Sequence, residues 1–269
     1  MTPTKRPYRL RSLNRKMSAE TWDRTVPYRA GWKREYYGGA AHVRPSWATC
    51  IYELTLTQRP VNCEFEIRTV TPEDGPALLA SFLDSFRYAP EYCSHTVVAY
   101  RQAARKYFDG FFGDSRGRWS PTSSCCAVDG DRILAAALIK ERETSPLLDC
   151  VYARPDRFRT GLAAAVTAFA ENRLVASGAR KLKSCALLAN DASNAWHVRY
   201  GFVELPNWMT AQSRYFNAIW ELERRRKWKL ITPEEEVVAL VDLEVWKREY
   251  ERIELLKETD FRSALPMMD

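Results

Sequence analysis

Ile133 to Ile139 is an uninterrupted run of seven aliphatic residues. A bilayer-spanning helix takes about 20 residues, so this run crosses no membrane. It follows Asp129-Gly130, a tight-turn pair, and before that Cys125-Cys126-Ala127-Val128. Two apolar runs joined by such a turn predict an antiparallel hairpin. The second arm is apolar on both faces and therefore has to be a central strand with helices above and below it.

The flanking segments supply those helices. Phe65 to Val70 alternates and runs into Thr71-Pro72-Glu73-Asp74, an N-cap, a proline at the first helical position and acids in the first turn. Leu78, Phe82 and Phe86 recur at i, i+4, i+8 and give the next helix its buried stripe. A second helix is expected over Thr96 to Phe108. Leu147 to Ala153 reads as a strand ended by Arg154-Pro155. A helix then runs from Leu162 toward Ser177, with Gly178 as its stop. Further strands are expected at Lys181 to Ala189, Phe202 to Leu205 and Tyr215 to Leu222, with a short helix at Ala192 to Arg199. Cys50 to Thr57 alternates as an added edge strand.

Residues 1 to 60 hold twelve Lys or Arg against four acids, whereas the remainder has 29 basic and 30 acidic side chains, so the net charge of +7 resides in the N-terminal segment. Residues 1 to 49 show no sustained period and read as an extension. Its interleaved Tyr28, Arg29, Trp32, Lys33, Arg34, Tyr36 and Tyr37 suit two roles: an arm packing its rings on the protein, or contact with nucleic acid through phosphates and stacked bases. At the other end Thr232-Pro233-Glu234-Glu235-Glu236 starts a long helix. Val237, Leu240, Val241, Leu243, Trp246, Tyr250, Ile253 and Leu256 give it an apolar face for its own domain or a dimer partner. The segments are thus a basic extension at 1–63, a central domain at 64–228 and a terminal amphipathic helix at 229–269.

Seven cysteines without metal spacing predict neither a disulfide framework nor a zinc site; Cys125 and Cys126 read as packing groups. Lys5, Arg6, Arg9, Arg11 and Arg15 are not followed by an apolar core of a secretory signal, and a cytoplasmic location without membrane attachment is expected.

The chemistry concentrates at Val151 to Ala163: a buried strand, an arginine-bearing loop, then Gly161 opening a helix. Free N–H groups of a first helical turn and the positive end of its dipole form an anion site, and a glycine lets the anion approach closely. Arg157 and Arg159 add charge. The same residues in a purely structural turn would be a solvated loop before a helix.

Phe158-Arg159-Thr160-Gly161-Leu162-Ala163 resembles the acetyl-coenzyme A loop of the GNAT superfamily, which reads Arg or Gln, two residues, Gly, one residue, then Gly or Ala. Asn190 to Phe202 resembles that family's downstream Asn and Gly-Phe signature, and Ile67 to Asp74 its opening strand and helix. The resemblance spans about 160 residues. It implies an α/β (α+β) fold, a mixed central sheet with helices on both faces, that transfers an acetyl or other acyl group from acetyl-CoA to an amine by direct attack. It places Val151, Ala153, Arg157, Phe158, Arg159, Thr160, Gly161, Leu162, Ala163 and Asn190 at the coenzyme. Two positions depart from the family: Phe158 replaces a polar residue, and His197 stands where a tyrosine often protonates the leaving thiolate. An imidazole with pKa about 6.5 can do so, or His197 can simply bond nearby backbone. Asp149, Glu141 and Glu143 are candidate bases, with Asp149 the odd carboxylate on an apolar strand. A GNAT-fold module that binds acyl-CoA or nucleic acid without catalysis is the alternative. The acceptor amine is not written in any motif.

Overall fold

A computed structural model describes residues 13–113 and 117–260. Lys5, Arg6, Arg9 and Arg11 lie outside them, as does the side chain of Leu256. In chain order the elements are β1 (Leu13–Lys16), α1 (Ala19–Thr25), β2 (Trp32–Tyr37), β3 (Ala40–Pro45), β4 (Thr49–Thr55), β5 (Glu66–Thr69), α2 (Gly75–Phe86), α3 (Val97–Phe112) and β6 (Cys125–Asp129). They continue with β7 (Arg132–Lys140), β8 (Leu147–Ala153), α4 (Leu162–Ala176), β9 (Lys181–Leu187), α5 (Asp191–Tyr200), β10 (Val203–Leu205), α6 (Trp208–Lys227) and α7 (Pro233–Asp260). Two compact units result. One comprises Ile51–Cys185 and Ala195–Glu204; the other comprises the described parts of Met1–Cys50, Ala186–Asn194 and Leu205–Asp269.

The first unit carries most of a seven-stranded mixed sheet in the order β10-β4-β9-β8-β7-β6-β5. The aliphatic run is β7, buried from Ile133 through Lys140, and it lies between β6 and β8. Its alternate residues feed two cores. Ala136, Leu138 and their cross-strand partners Cys126, Tyr152 and Cys150 meet α2 and α3 through Leu78, Phe82, Tyr100, Ala104, Phe108 and Phe111. Ala137 and Cys125 pair on the opposite face, where the Cys125 thiol meets the Val166 carbonyl of α4 at 3.0 Å. Helices thus cover both faces, as the run demands.

Phe82 anchors the aromatic side, its ring 4.4 Å from Phe86, 5.5 Å from Phe108 and 5.9 Å from Tyr152. Edge-on and offset contacts of this kind add to the area they bury. On the other side Glu171 of α4 is fully buried, accepting from the Thr57 N–H at 2.9 Å and the Tyr200 hydroxyl at 2.8 Å and ion-paired with Arg59 at 2.8 Å. A buried carboxylate is tolerated because both of its oxygens have partners.

Two sequence expectations are corrected. Cys50 to Thr57 is not an added edge: β4 lies between β9 and β10, and its burial alternates because only one face of each residue pair meets the core. Tyr215 to Leu222 is no strand but the middle of α6, whose start is fixed by Asn207 accepting from the N–H groups of Met209 and Thr210. That cap was present in the sequence, and the bulky aromatic run masked it.

The second unit replaces the expected patternless extension with a three-stranded antiparallel sheet, order β1-β3-β2, beside α1. Gly38 and Gly39, both at positive φ, make the two-residue turn between β2 and β3. The unit is held by cations and rings. Arg34 lies 4.3 Å from the Trp22 ring and 4.2 Å from that of Tyr28, and donates to the Val26 carbonyl. Asp23 accepts from Lys227 at 2.7 Å, Trp228 at 3.0 Å and Arg34 at 3.3 Å. Gly31, φ +81°, has the Ala189 nitrogen 2.5 Å from where a Cβ would stand.

α7 starts at the expected Thr232-Pro233-Glu234 signal and runs to Asp260, residues 261–269 of the expected segment lying outside the described residues, and its apolar face is not covered throughout. Ile253 is fully buried, whereas Val237, Leu240 and Val241 are exposed. No helix among the described residues is long and apolar enough to cross a membrane.

Candidate functional site

β8 and the loop after it hold most of the residues singled out by sequence. Arg154 N–H donates to the Leu134 carbonyl on β7. In an antiparallel ladder successive residues alternate between the two edges. Tyr152 and Arg154 therefore bond toward β7, and the N–H and C=O groups of Val151 and Ala153 point to the β9 side. There the parallel ladder between β8 and β9 consists of Leu147↔Lys183 and Leu148↔Ser184 only. Beyond Leu148 the edge of β8 presents its backbone donors and acceptors without a ladder partner.

Asp149 sits where that edge opens. Leu138 pairs with Cys150 and Ile139 with Leu148, so Asp149 is an extra residue, a bulge in β8. Bulges re-aim side chains. Asp149 is half-buried and accepts a 2.7 Å hydrogen bond from the Tyr107 hydroxyl of α3. Burial first, and then the charge of Asp149, hold the Tyr107 phenol well above its ordinary pKa, so it stays a donor. Burial and the same carboxylate push the Cys185 thiol up to about 11, with Glu91 a further negative neighbour. The other carboxylates named as bases lie elsewhere: Glu141 is exposed beside Arg118 at 3.7 Å, and Glu143 is exposed in the β7–β8 loop.

After Ala153 the chain makes a short 3-10 turn at Pro155–Arg157 and reaches α4. Arg154 is tied to Asp84 at 2.8 Å and Asp156 at 3.4 Å. Arg157 packs its guanidinium 4.9 Å from the Phe65 ring. Thr160 donates to the Arg157 carbonyl at 2.8 Å, closing the loop on itself. Arg159 adopts φ +66°, a strained value for a side-chain-bearing residue, and Gly161 follows at φ +84°. The two left-handed residues turn the chain sharply into α4.

The first intrahelical bond is Ala165 N–H to the Gly161 carbonyl. The N–H groups of Leu162, Ala163 and Ala164 therefore have no partner within the helix. No side chain caps them, and a Cβ built on Gly161 meets nothing within 4 Å. The start of α4 is open and uncapped. Arg159 and Gly161 are exposed there, and Phe158 is 56% exposed beside them.

His197 is placed differently from a residue that meets solvent. It is 1% exposed, stacked 4.6 Å from the Tyr52 ring and edge-on to Trp196 and Phe202. Its Nε2 lies 2.8 Å from Ser184 Oγ, which in turn is 3.2 Å from the Leu148 carbonyl. The imidazole thus reaches the end of the β8–β9 ladder through Ser184. Sequence reading missed Ser184 and Tyr107, because neither belongs to a motif; only the bulge brings Tyr107 and Asp149 together. Asn190 is in the other unit, where its Oδ1 accepts from the Ser193 N–H at the start of α5.

No protein-family model matches the chain, and no curated protein does. Solved structures do. A GCN5-related N-acetyltransferase from Sphaerobacter thermophilus is 17% identical, with 58% of this chain covering 48% of that one at a TM-score of 0.43, so the match spans about half its length. The PaiA N-acetyltransferase of Thermoplasma acidophilum, solved with coenzyme A, is 14% identical over 54% of this chain and 93% of its own, TM-score 0.46. An aminoglycoside 6'-N-acetyltransferase from Acinetobacter haemolyticus is 16% identical over 53% and 93%, TM-score 0.41.

Proposed function

We propose that the chain is an acetyl-CoA-dependent N-acyltransferase with a GNAT-type fold. The observation that carries this reading is the uncapped start of α4, joined through a strained loop to a strand whose far edge is free. Such an edge suits the amide-bearing arm of coenzyme A as an added strand, and the helix start suits its diphosphate. Amides from Arg159 to Ala163 would hold the diphosphate, with Arg159 and Arg157 adding charge where the family has a polar group in place of Phe158. Val151 and Ala153 would bind along the edge, and the Ala153 N–H side would polarise the thioester carbonyl.

The acceptor nitrogen attacks that carbonyl directly. Its N–C bond forms, the C–S bond breaks with its electron pair going to sulfur, and the thiolate, of pKa about 8.5, leaves and takes up the proton that the new amide nitrogen sheds. Asp149 takes the proton from the ammonium acceptor, since the bulge sets its carboxylate at the open edge and Tyr107 fixes one of its oxygens. His197 acts through Ser184 rather than by touching substrate.

The test is a thermal shift with coenzyme A and a free-thiol release assay with amine panels. A ligand at about 100 times its Kd raises stability by about 2.7 kcal/mol. Gly161→Trp should abolish the shift, and unchanged affinity refutes the cradle. Asp149→Asn should keep the shift and lower turnover about 10²- to 10⁴-fold. Binding without turnover in the wild type with every amine tried would favour the non-catalytic module.

A further inference from the structure

Five large apolar residues are exposed within nine positions of α7: Val237, Val238, Leu240, Val241 and Val245, each 43–62% exposed. Valine is a poor helix former, so four exposed valines weaken the isolated helix and gain nothing from water. Val237, Val241 and Val245 recur at i, i+4, i+8 and form one stripe, edged by Leu240, Glu244 and Arg248. Contiguous exposed apolar stripes rimmed by charge mark interaction surfaces.

We infer that this stripe pairs with the same stripe of a second copy, antiparallel, about a two-fold axis at Val241. The charges select that partner. In an antiparallel pair centred on Val241, Val237 of one copy faces Val245 of the other, and Glu234 faces Arg248, at both ends. Glu234 and Arg248 are 14 residues apart, about 21 Å along the helix, so the two ion pairs bracket the valines. Glu235 and Glu236 are already engaged by Arg225 and Arg226 at 2.7 and 2.5 Å, whereas no such ion pair engages Glu234 among the described residues. Arg248, bound at 3.0 Å to its own Glu244, keeps further donors for a second carboxylate. A parallel pair would set Glu234 against Glu234 and Arg248 against Arg248. A stripe on one helix is smaller than the roughly 800 Å² per partner of stable complexes, so the dimer should be weak, with Kd roughly micromolar.

The test is measurement of the solution mass across concentration, by light scattering and analytical ultracentrifugation, on the full chain. The wild type should approach twice its 31.1 kDa mass at high concentration. Val241→Glu should leave it monomeric with its helix content intact, because the position is exposed in the single chain. Glu234→Arg alone and Arg248→Glu alone should each weaken association about tenfold, and the double exchange should restore it. A wild type that stays monomeric overturns the inference, as does a dimer indifferent to Val241→Glu. Failure of the double exchange to restore pairing overturns the antiparallel register. A wild-type monomer that associates only once residues 261–269 are deleted would mean that the chain's own end covers the stripe, which also overturns it.

Discussion

The two compact units are held by different forces. In the unit built on Ile51–Cys185, Phe82 and its aromatic neighbours pack on a strand of alanine, leucine and isoleucine, and the charged groups lie mostly outside that cluster. In the other, Arg34 is clasped between Trp22 and Tyr28, Asp23 gathers three donors, and buried Arg224 holds Glu221 at 2.6 Å. Apolar contact is non-directional, carries no titrating group and is not weakened by the screening of charge. Charge-assisted hydrogen bonds are directional, and removing one partner leaves the other exposed to a desolvation cost. The first unit should therefore tolerate changes of solution and resist changes of volume, and the second the reverse.

The largest effect that would sharpen this contrast is Phe82→Ala, expected to destabilise the first unit by about 3–5 kcal/mol. Hydrogen exchange should rise across α2, α3 and β7 and leave β1–β3 protected to the same degree. Equal loss in both units would mean that they unfold as one. Next comes Gly31→Ala in the second unit, where the left-handed φ and the Ala189 backbone leave no room for a methyl. Strain and overpacking together should cost about 2–4 kcal/mol, read as a lower Tm with exchange rising first in the second unit.

Acid offers a gentler probe. The hydrogen bond from Lys227, with those from Trp228 and Arg34, holds the Asp23 carboxyl below its usual range against a smaller opposing effect of burial. A carboxyl whose folded pKa is depressed stabilises the fold above its unfolded value, about 3.9, and loses that contribution as pH falls toward the folded value. The second unit should open first as pH falls below about 3.9, and Asp23→Asn should flatten that part of the profile. The first unit has ion pairs of its own, Arg68 with Asp74 at 2.7 Å and Arg59 with buried Glu171 at 2.8 Å, but both lie outside the Phe82 cluster. An identical acid profile in both units would break the comparison.

The smallest effect is at the candidate site. Arg159 holds φ +66°, so Arg159→Gly should stabilise the chain by up to about 1 kcal/mol while weakening coenzyme A binding. A variant that is more stable and binds equally well would remove Arg159 from the site.

The same contrast explains what could be read in the sequence. Period and turn chemistry identify the β6–β7 hairpin, β8, α4 and the stop at Gly178, because apolar packing imposes a repeat on the chain. Arg34, Asp23 and Arg224 impose none, so residues 1 to 49 read as an extension although Gly38-Gly39 marks the hairpin. The glycine turn into the uncapped start of α4 was legible, since Gly161 and its spacing are local. The Tyr107–Asp149 bond, the Ser184–His197 bond and the end of the β8–β9 ladder are not local, and no spacing along the chain announces them.

The additional residue in β8 has a further consequence for how that strand could change. Tyr152 and Cys150 project toward α2 and α3, and Leu148, which would share their side in a regular strand, is turned to the opposite side instead. Shortening the strand by one position would do more than erase a carboxylate: it would swap the sides of Leu147 and Leu148, driving the chain before the gap out of its core. Length and chemistry are bound together at that position, so the strand can exchange Asp149 for another residue far more readily than it can do without one.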